Sequence, residues 1–172
     1  PHLFMPCELV HIWQGAQAPS GSRVVQARFR YTGDPSSPAT DYDAACDIER
    51  ALGTVQIGDG SALVLNDDVP MSTWLPGGVF SCGTLVVPVW WPESDTPDER
   101  LISVVNSVPA AAFADAGVEV STSKGGFLHF AACDAGPNWS YKTAEVPLPP
   151  GAYRVFSNRT ETDGFLVHLH AL

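Results

Sequence analysis

Carboxylates are the groups in this chain best placed to do chemistry. Eight lie between Asp34 and Asp68, against one basic residue, Arg50. Paired carboxylates act as general acid and base, or hold a hard cation, when their spacing is fixed. In so acidic a chain paired carboxylates are too plentiful to mark an acid–base site, and the calcium spacing is not met. A calcium loop needs oxygens at alternating positions and glycine at the sixth. Counted from Asp41, the fifth and sixth positions are Ala45 and Cys46. The run Gly53 to Ser61 (GTVQIGDGS) has the glycines of a phosphate loop. It carries Asp59-Gly60 where Lys-Ser/Thr is required, and Asp59 repels phosphate. What remains for the cluster is attraction to basic partners.

The histidines give a second candidate. His168 and His170 lie two apart on the last predicted strand and share a face, and His129 lies on another strand. If those strands pair, three imidazoles converge as zinc ligands, and a small-ligand or metal-binding module on His129, His168 and His170 is the alternative function. Against it, the sequence marks no further ligand. Alternation with Leu166, Val167 and Leu169 reads His168 and His170 as solvent-facing. Cys7, Cys46, Cys82 and Cys133 form no CxxC and read as buried free thiols. No Gly-x-Ser-x-Gly is present, and neither Cys46 nor Cys82 adjoins a histidine. The expectation is a protein without catalytic residues, cofactor or bound metal. Adjacent Trp90 and Trp91 must face opposite ways on a strand, one to the core and one to a covering loop or a partner.

The elements that position these groups follow from periodicity. Leu3 to Met5 is a strand, and Glu8 to Trp13 about two helical turns. Arg23 to Tyr31 alternates, with Gln26, Arg28 and Arg30 outward and Val25, Ala27, Phe29 and Tyr31 inward, as a half-buried strand does. A helix starts at Thr40 or Asp41. It carries Ala44, Ala45, Ile48, Ala51 and Leu52 on one face, and Gly53 is expected to cap its end. Thr54 to Ile57 and Ala62 to Leu65 form a hairpin around Asp59-Gly60. Phe80 to Trp91 is the longest strand, apolar on both faces at Leu85-Val86-Val87. Asp95 to Ser107 is a second helix, with Thr96 as cap and Glu99 completing a capping box. Gly117 to Ser123 and Phe127 to Cys133 read as a hairpin through Lys124-Gly125-Gly126. Ala144 to Leu148, Ala152 to Ser157 and Phe165 to Leu169 are further strands. The sum is an α+β fold: a mainly antiparallel twisted sheet of roughly seven to nine strands with two or three helices packed on it.

Length and composition bound the rest. The chain has 172 residues, which suits a single domain over 1–172. Hydrophobic residues make up 45% and charged residues 16%, the balance of a globular chain. A formal net charge of -10 opposes nucleic-acid phosphates and anionic membranes and favours basic partners. No apolar run is long enough to span a membrane, and no leader is visible, so the expected location is cytoplasmic.

An ordered set of motifs carries a family resemblance. Asp41-Tyr42-Asp43-Ala44-Ala45-Cys46 is followed by Leu52-Gly53, Gly58-Asp59-Gly60-Ser61-Ala62-Leu63-Val64-Leu65, Asp67-Asp68 and Thr73-Trp74-Leu75-Pro76. The opening HLFMPCELVHIWQGA and the ending Leu148-Pro149-Pro150-Gly151-Ala152-Tyr153-Arg154-Val155, then Phe165 to Leu169, fit the same pattern. In these residues the chain resembles the immunity protein twenty-one family, small bacterial proteins of polymorphic toxin systems. The segment Gly21 to Ala39 is longer than that pattern. The resemblance implies an inhibitor that binds a cognate toxin inside the producing cell. Charge then points to a basic toxin, met by Asp43, Asp47, Glu49, Asp67 and Asp68.

Overall fold

The computed structural model describes residues 1–17, 27–66, 73–77, 80, 82–90, 98–135, 144–162 and 165–172. Two five-stranded sheets replace the single sheet expected. One has the order β2-β3-β1-β7-β8 and the other β4-β5-β10-β9-β6. The strands are β1 His2–Pro6, β2 Leu52–Ile57, β3 Gly60–Leu65, β4 Thr73–Pro76, β5 Gly83–Trp90, β6 Ala114–Thr122, β7 Phe127–Ala131, β8 Ala144–Val146, β9 Gly151–Thr162 and β10 Phe165–Ala171. Helices α1 (Asp41–Cys46) and α2 (Asp98–Ser107) are short, with single 3-10 turns at Cys7–Leu9 and Ala110–Ala112. Contacts divide the chain into two compact units. The first is Pro1–Asp67 with Val120–Ala152, the second Asp68–Glu119 with Tyr153–Leu172.

The first unit is built on β1. It runs antiparallel to β3 on one side, with Leu3 opposite Val64, and to β7 on the other, with Leu3 opposite Phe130. Successive side chains of a strand point to opposite faces, so the continuous burial of Leu3, Phe4 and Met5 means that both faces are covered. On one face Leu3, Met5, Val64, Leu128 and Phe130 pack with Val10, Trp13, Ala44 and Ala45. Trp13 is fully buried, and its indole N–H donates to the Ala132 carbonyl at 2.9 Å. Phe4 and Phe127 stack with ring centroids 4.6 Å apart.

Helix α1 is shorter than its pattern predicts. Its N-terminus is as read: Thr40 caps it, and Thr40 and Asp43 form a reciprocal capping box. It stops at Cys46, so the helical stripe through Ala51 and Leu52 and the Gly53 cap do not form. Competing partners take the backbone. Asn66 donates its side-chain amide to the Ile48 carbonyl at 2.6 Å and its backbone N–H to the Ala51 carbonyl at 2.9 Å. Leu52 then pairs with Leu65 in the β2–β3 ladder. Gly53 lies in that strand under Ile48, where a Cβ would come within 2.6 Å of the isoleucine methyl. Close approach, not helix termination, accounts for this glycine. The hairpin itself is confirmed and tightened to a two-residue turn, Gly58-Asp59, with Ile57 facing Gly60.

Three further expectations change. Residues 27–31 are irregular and not a strand, and 23–26 lie outside the described residues. Glu8 to Trp13 is a 3-10 turn followed by turns, not a regular helix. β6 and β7 are not a hairpin, since they belong to different sheets. The Thr96 cap, Pro97 and Trp91 lie outside the described residues. In the second unit β10 lies between β5 and β9, and Val86, Val105, Val108, Val167 and Leu169 form the buried cluster.

Candidate partner-binding surface

The acidic residues of α1 do more inside the first unit than on its surface. Asp41 is fully buried and accepts the Gln14 N–H at 2.8 Å. Asp43 is 1% exposed. One of its oxygens takes the Thr40 N–H and the other the Tyr31 N–H, both at 2.8 Å. Asp47 is half-buried and grips two successive amides, Phe29 at 2.7 Å and Arg28 at 2.5 Å. Three carboxylates, two on α1 and one at its C-terminal cap, thus bind backbone amides, among them those of Gln14 and of Arg28, Phe29 and Tyr31. A carboxylate suits this work because it accepts several hydrogen bonds and donates none.

The segment they hold runs from Ala27 to Ser37. Arg30 ties it from within, donating to the carbonyls of Ala27, Phe29 and Ser37. The donors expected to form a basic strand are therefore partly spent on the loop itself. Thr32 and Ser37 share a hydroxyl–hydroxyl bond of 2.8 Å, and Asp34 accepts both the amide and the hydroxyl of Ser36. Those two bonds hold the Asp34 carboxyl below its ordinary range, the side-chain bond contributing most. Arg28 projects outward to Glu49 at 3.1 Å, both side chains some 80% exposed (80% and 81%). Tyr31 meets Tyr42 edge to face at 6.0 Å. Burial first, and the hydrogen bond with Cys46 second, push the Tyr42 hydroxyl up to about 12.

Of the five carboxylates expected to contact a partner, Glu49 is fully on the surface and Asp47 partly. Asp43 is buried with both oxygens used, so the surface reading passes from it. Asp67 and Asp68 lie outside the described residues. The inward reading of Phe29 and Tyr31 is overturned, because they are 44% and 55% exposed. Alternation predicts burial only where a sheet supplies a covered face, and among the described residues this segment pairs with no strand. The Thr40-x-x-Asp43 pair was the readable signal that Asp43 is structural.

The histidine-bearing strands do not pair. β7 carries His129 in one sheet and β10 carries His168 and His170 in the other, so the strand pairing that a three-histidine site needs is not made. Among the described residues no three His, Cys, Asp or Glu side chains are grouped to hold a metal ion. His170 is buried, against its solvent-facing expectation, and its Nδ1 lies 2.9 Å from the hydroxyl of Ser157 on the neighbouring strand. His129 stacks on His2 at 5.5 Å, and burial followed by His2 lowers it to about 3. Cys7 and Cys133 are exposed, not buried as expected, and no disulfide links the cysteines. Burial is the largest cause that pushes the thiols of Cys7, Cys46 and Cys133 up, away from the nucleophilic thiolate.

Among the described residues no helix is long and apolar enough to cross a membrane. No curated protein and no solved structure matches the chain. One family model does, described as Immunity protein 21, and it spans residues 1–164. That match runs from β1 through β9 and ends just before β10, and it includes the capped helix, the Gly58-Asp59 hairpin and the central β1. The chain belongs to the Immunity protein 21 family.

Proposed function

We propose that this protein binds and neutralises a cognate bacterial toxin by occupying it, without chemistry of its own, in the cytoplasm of the producing cell. The observation that carries the reading is the family match over 1–164. Electrostatics supports a basic partner. The chain has a net charge of -10, and Glu49, Asp59 and Asp34 are exposed on the first unit. Such a surface steers a positively charged cleft into contact and raises the association rate. It disfavours nucleic acid and anionic membrane as partners for the same reason.

The test is association kinetics with the toxin domain encoded beside this protein's gene. Asp47 is a poor residue to reverse, because its carboxylate holds the Arg28 and Phe29 amides. Glu49→Lys with Asp59→Lys is the cleaner pair, because both residues are exposed. It lowers the association rate by about tenfold at low salt and flattens its salt dependence. Rates unchanged at every ionic strength remove the acidic surface from the reading. Failure of the wild-type protein to bind this toxin, or to protect cells that express it, removes the inhibitor reading itself.

A further inference from the structure

Phe29, Tyr31 and Ile102 are the exposed large hydrophobic side chains among the described residues. A single apolar residue on a surface needs no explanation. The first two differ because they lie two apart on one loop whose backbone is fixed from below. Asp47 takes the amides of Arg28 and Phe29, and Asp43 takes that of Tyr31. Arg30 closes the loop onto its own carbonyls. Two carboxylates and a guanidinium are thus committed to shaping an irregular segment. The ordering entropy is lost on folding, so little is left to lose on binding. Aromatic rings held in this way are the side chains that anchor protein interfaces.

The rim around them is charged. Glu49 pairs with Arg28, next to Phe29 in the chain, and the exposed carboxylate of Asp34 follows Tyr31 on the same segment. We infer that Phe29 and Tyr31 are the anchors by which this protein holds its toxin, seated in an apolar recess with a basic rim. This rests on the toxin-neutralising reading above. A second copy of the chain is a poorer occupant. It brings the same Glu49 and Asp34 to the same rim, on a molecule already at a net charge of -10.

The experiment compares dissociation of the toxin domain from wild type, Phe29→Ala, Tyr31→Ala and Tyr31→Phe, with urea midpoints measured alongside. Each alanine variant is expected to raise the dissociation rate by about thirtyfold or more and to leave the association rate within about threefold. Tyr31→Phe keeps the ring and dissociates at close to the wild-type rate. Tyr31 also touches Tyr42, so Phe29→Ala decides the matter if Tyr31→Ala shifts the urea midpoint. Wild-type binding with unchanged dissociation in Phe29→Ala overturns the anchor and leaves the inhibitor reading standing. No binding by wild type overturns both. A wild-type dimer that Phe29→Ala splits overturns the choice of occupant.

Discussion

Replacing Asp43 with alanine takes the acceptor from two amides at once. The carboxylate is 1% exposed and receives the Thr40 and Tyr31 N–H groups, each at 2.8 Å. A donor stranded away from water costs about 1–3 kcal/mol. Both amides are only part-buried, so the lower half of that range applies to each. The Thr40 hydroxyl still accepts the residue-43 amide and keeps the main cap. The sum for Asp43→Ala is about 3 kcal/mol. Asp43→Asn keeps one acceptor oxygen and turns an NH2 toward the other amide, so it costs about half as much. Urea unfolding followed by tryptophan fluorescence reads this, because Trp13 is buried in the same unit. With a slope of about 2 kcal/mol/M, the midpoint falls by about 1.5 M for alanine and about 0.7 M for asparagine. A shift below about 0.3 M for alanine, or equal shifts for the two variants, refutes the claim that Asp43 is an internal clamp.

Two other substitutions test the same frame. Gly15 sits at φ +57°, and a Cβ there would lie 2.4 Å from the Cys133 carbonyl oxygen. Gly15→Ala therefore strains the backbone and opens the contact, with an expected loss of more than about 2 kcal/mol in thermal or urea unfolding, and a neutral result contradicts the geometry. His129 supplies the pH test. Its folded value of about 3 lies below the usual 6.5. The stability tied to the neutral ring is complete above the unfolded value and is lost as pH falls from there toward the folded one. Across that window His129→Gln should lose stability less steeply than wild type, by up to about 1.4 kcal/mol per pH unit. Parallel stability curves for the two proteins contradict this.

Local signals were legible where the answer is local. The Thr40–Asp43 capping box, the Gly58-Asp59 turn, the short strands and the antiparallel bias follow from neighbours within a few residues. Signals failed where a distant partner decides. The stripe Ala44, Ala45, Ile48, Ala51, Leu52 has a helical period, yet Asn66 claims the carbonyls of Ile48 and Ala51, and β3 claims Leu52. The alternation of residues 27–31 suggested a strand, yet three carboxylate bonds fix it as a loop with its aromatics outward. Lys124-Gly125-Gly126 marked a turn, and the strands on either side join different sheets.

By itself the sequence determined the family, through motifs in order along the chain, together with the charge that favours a basic partner. The tertiary structure alone decided which carboxylates are available. Charge is a property of residue type and is additive along the chain. Exposure depends on what folds back onto each residue, so Asp43 is spent on the fold while Glu49 remains on the surface. It also divided the strands between two sheets, so that the strand of His129 does not pair with that of His168 and His170, since strand pairing is set by long-range register that no local window contains.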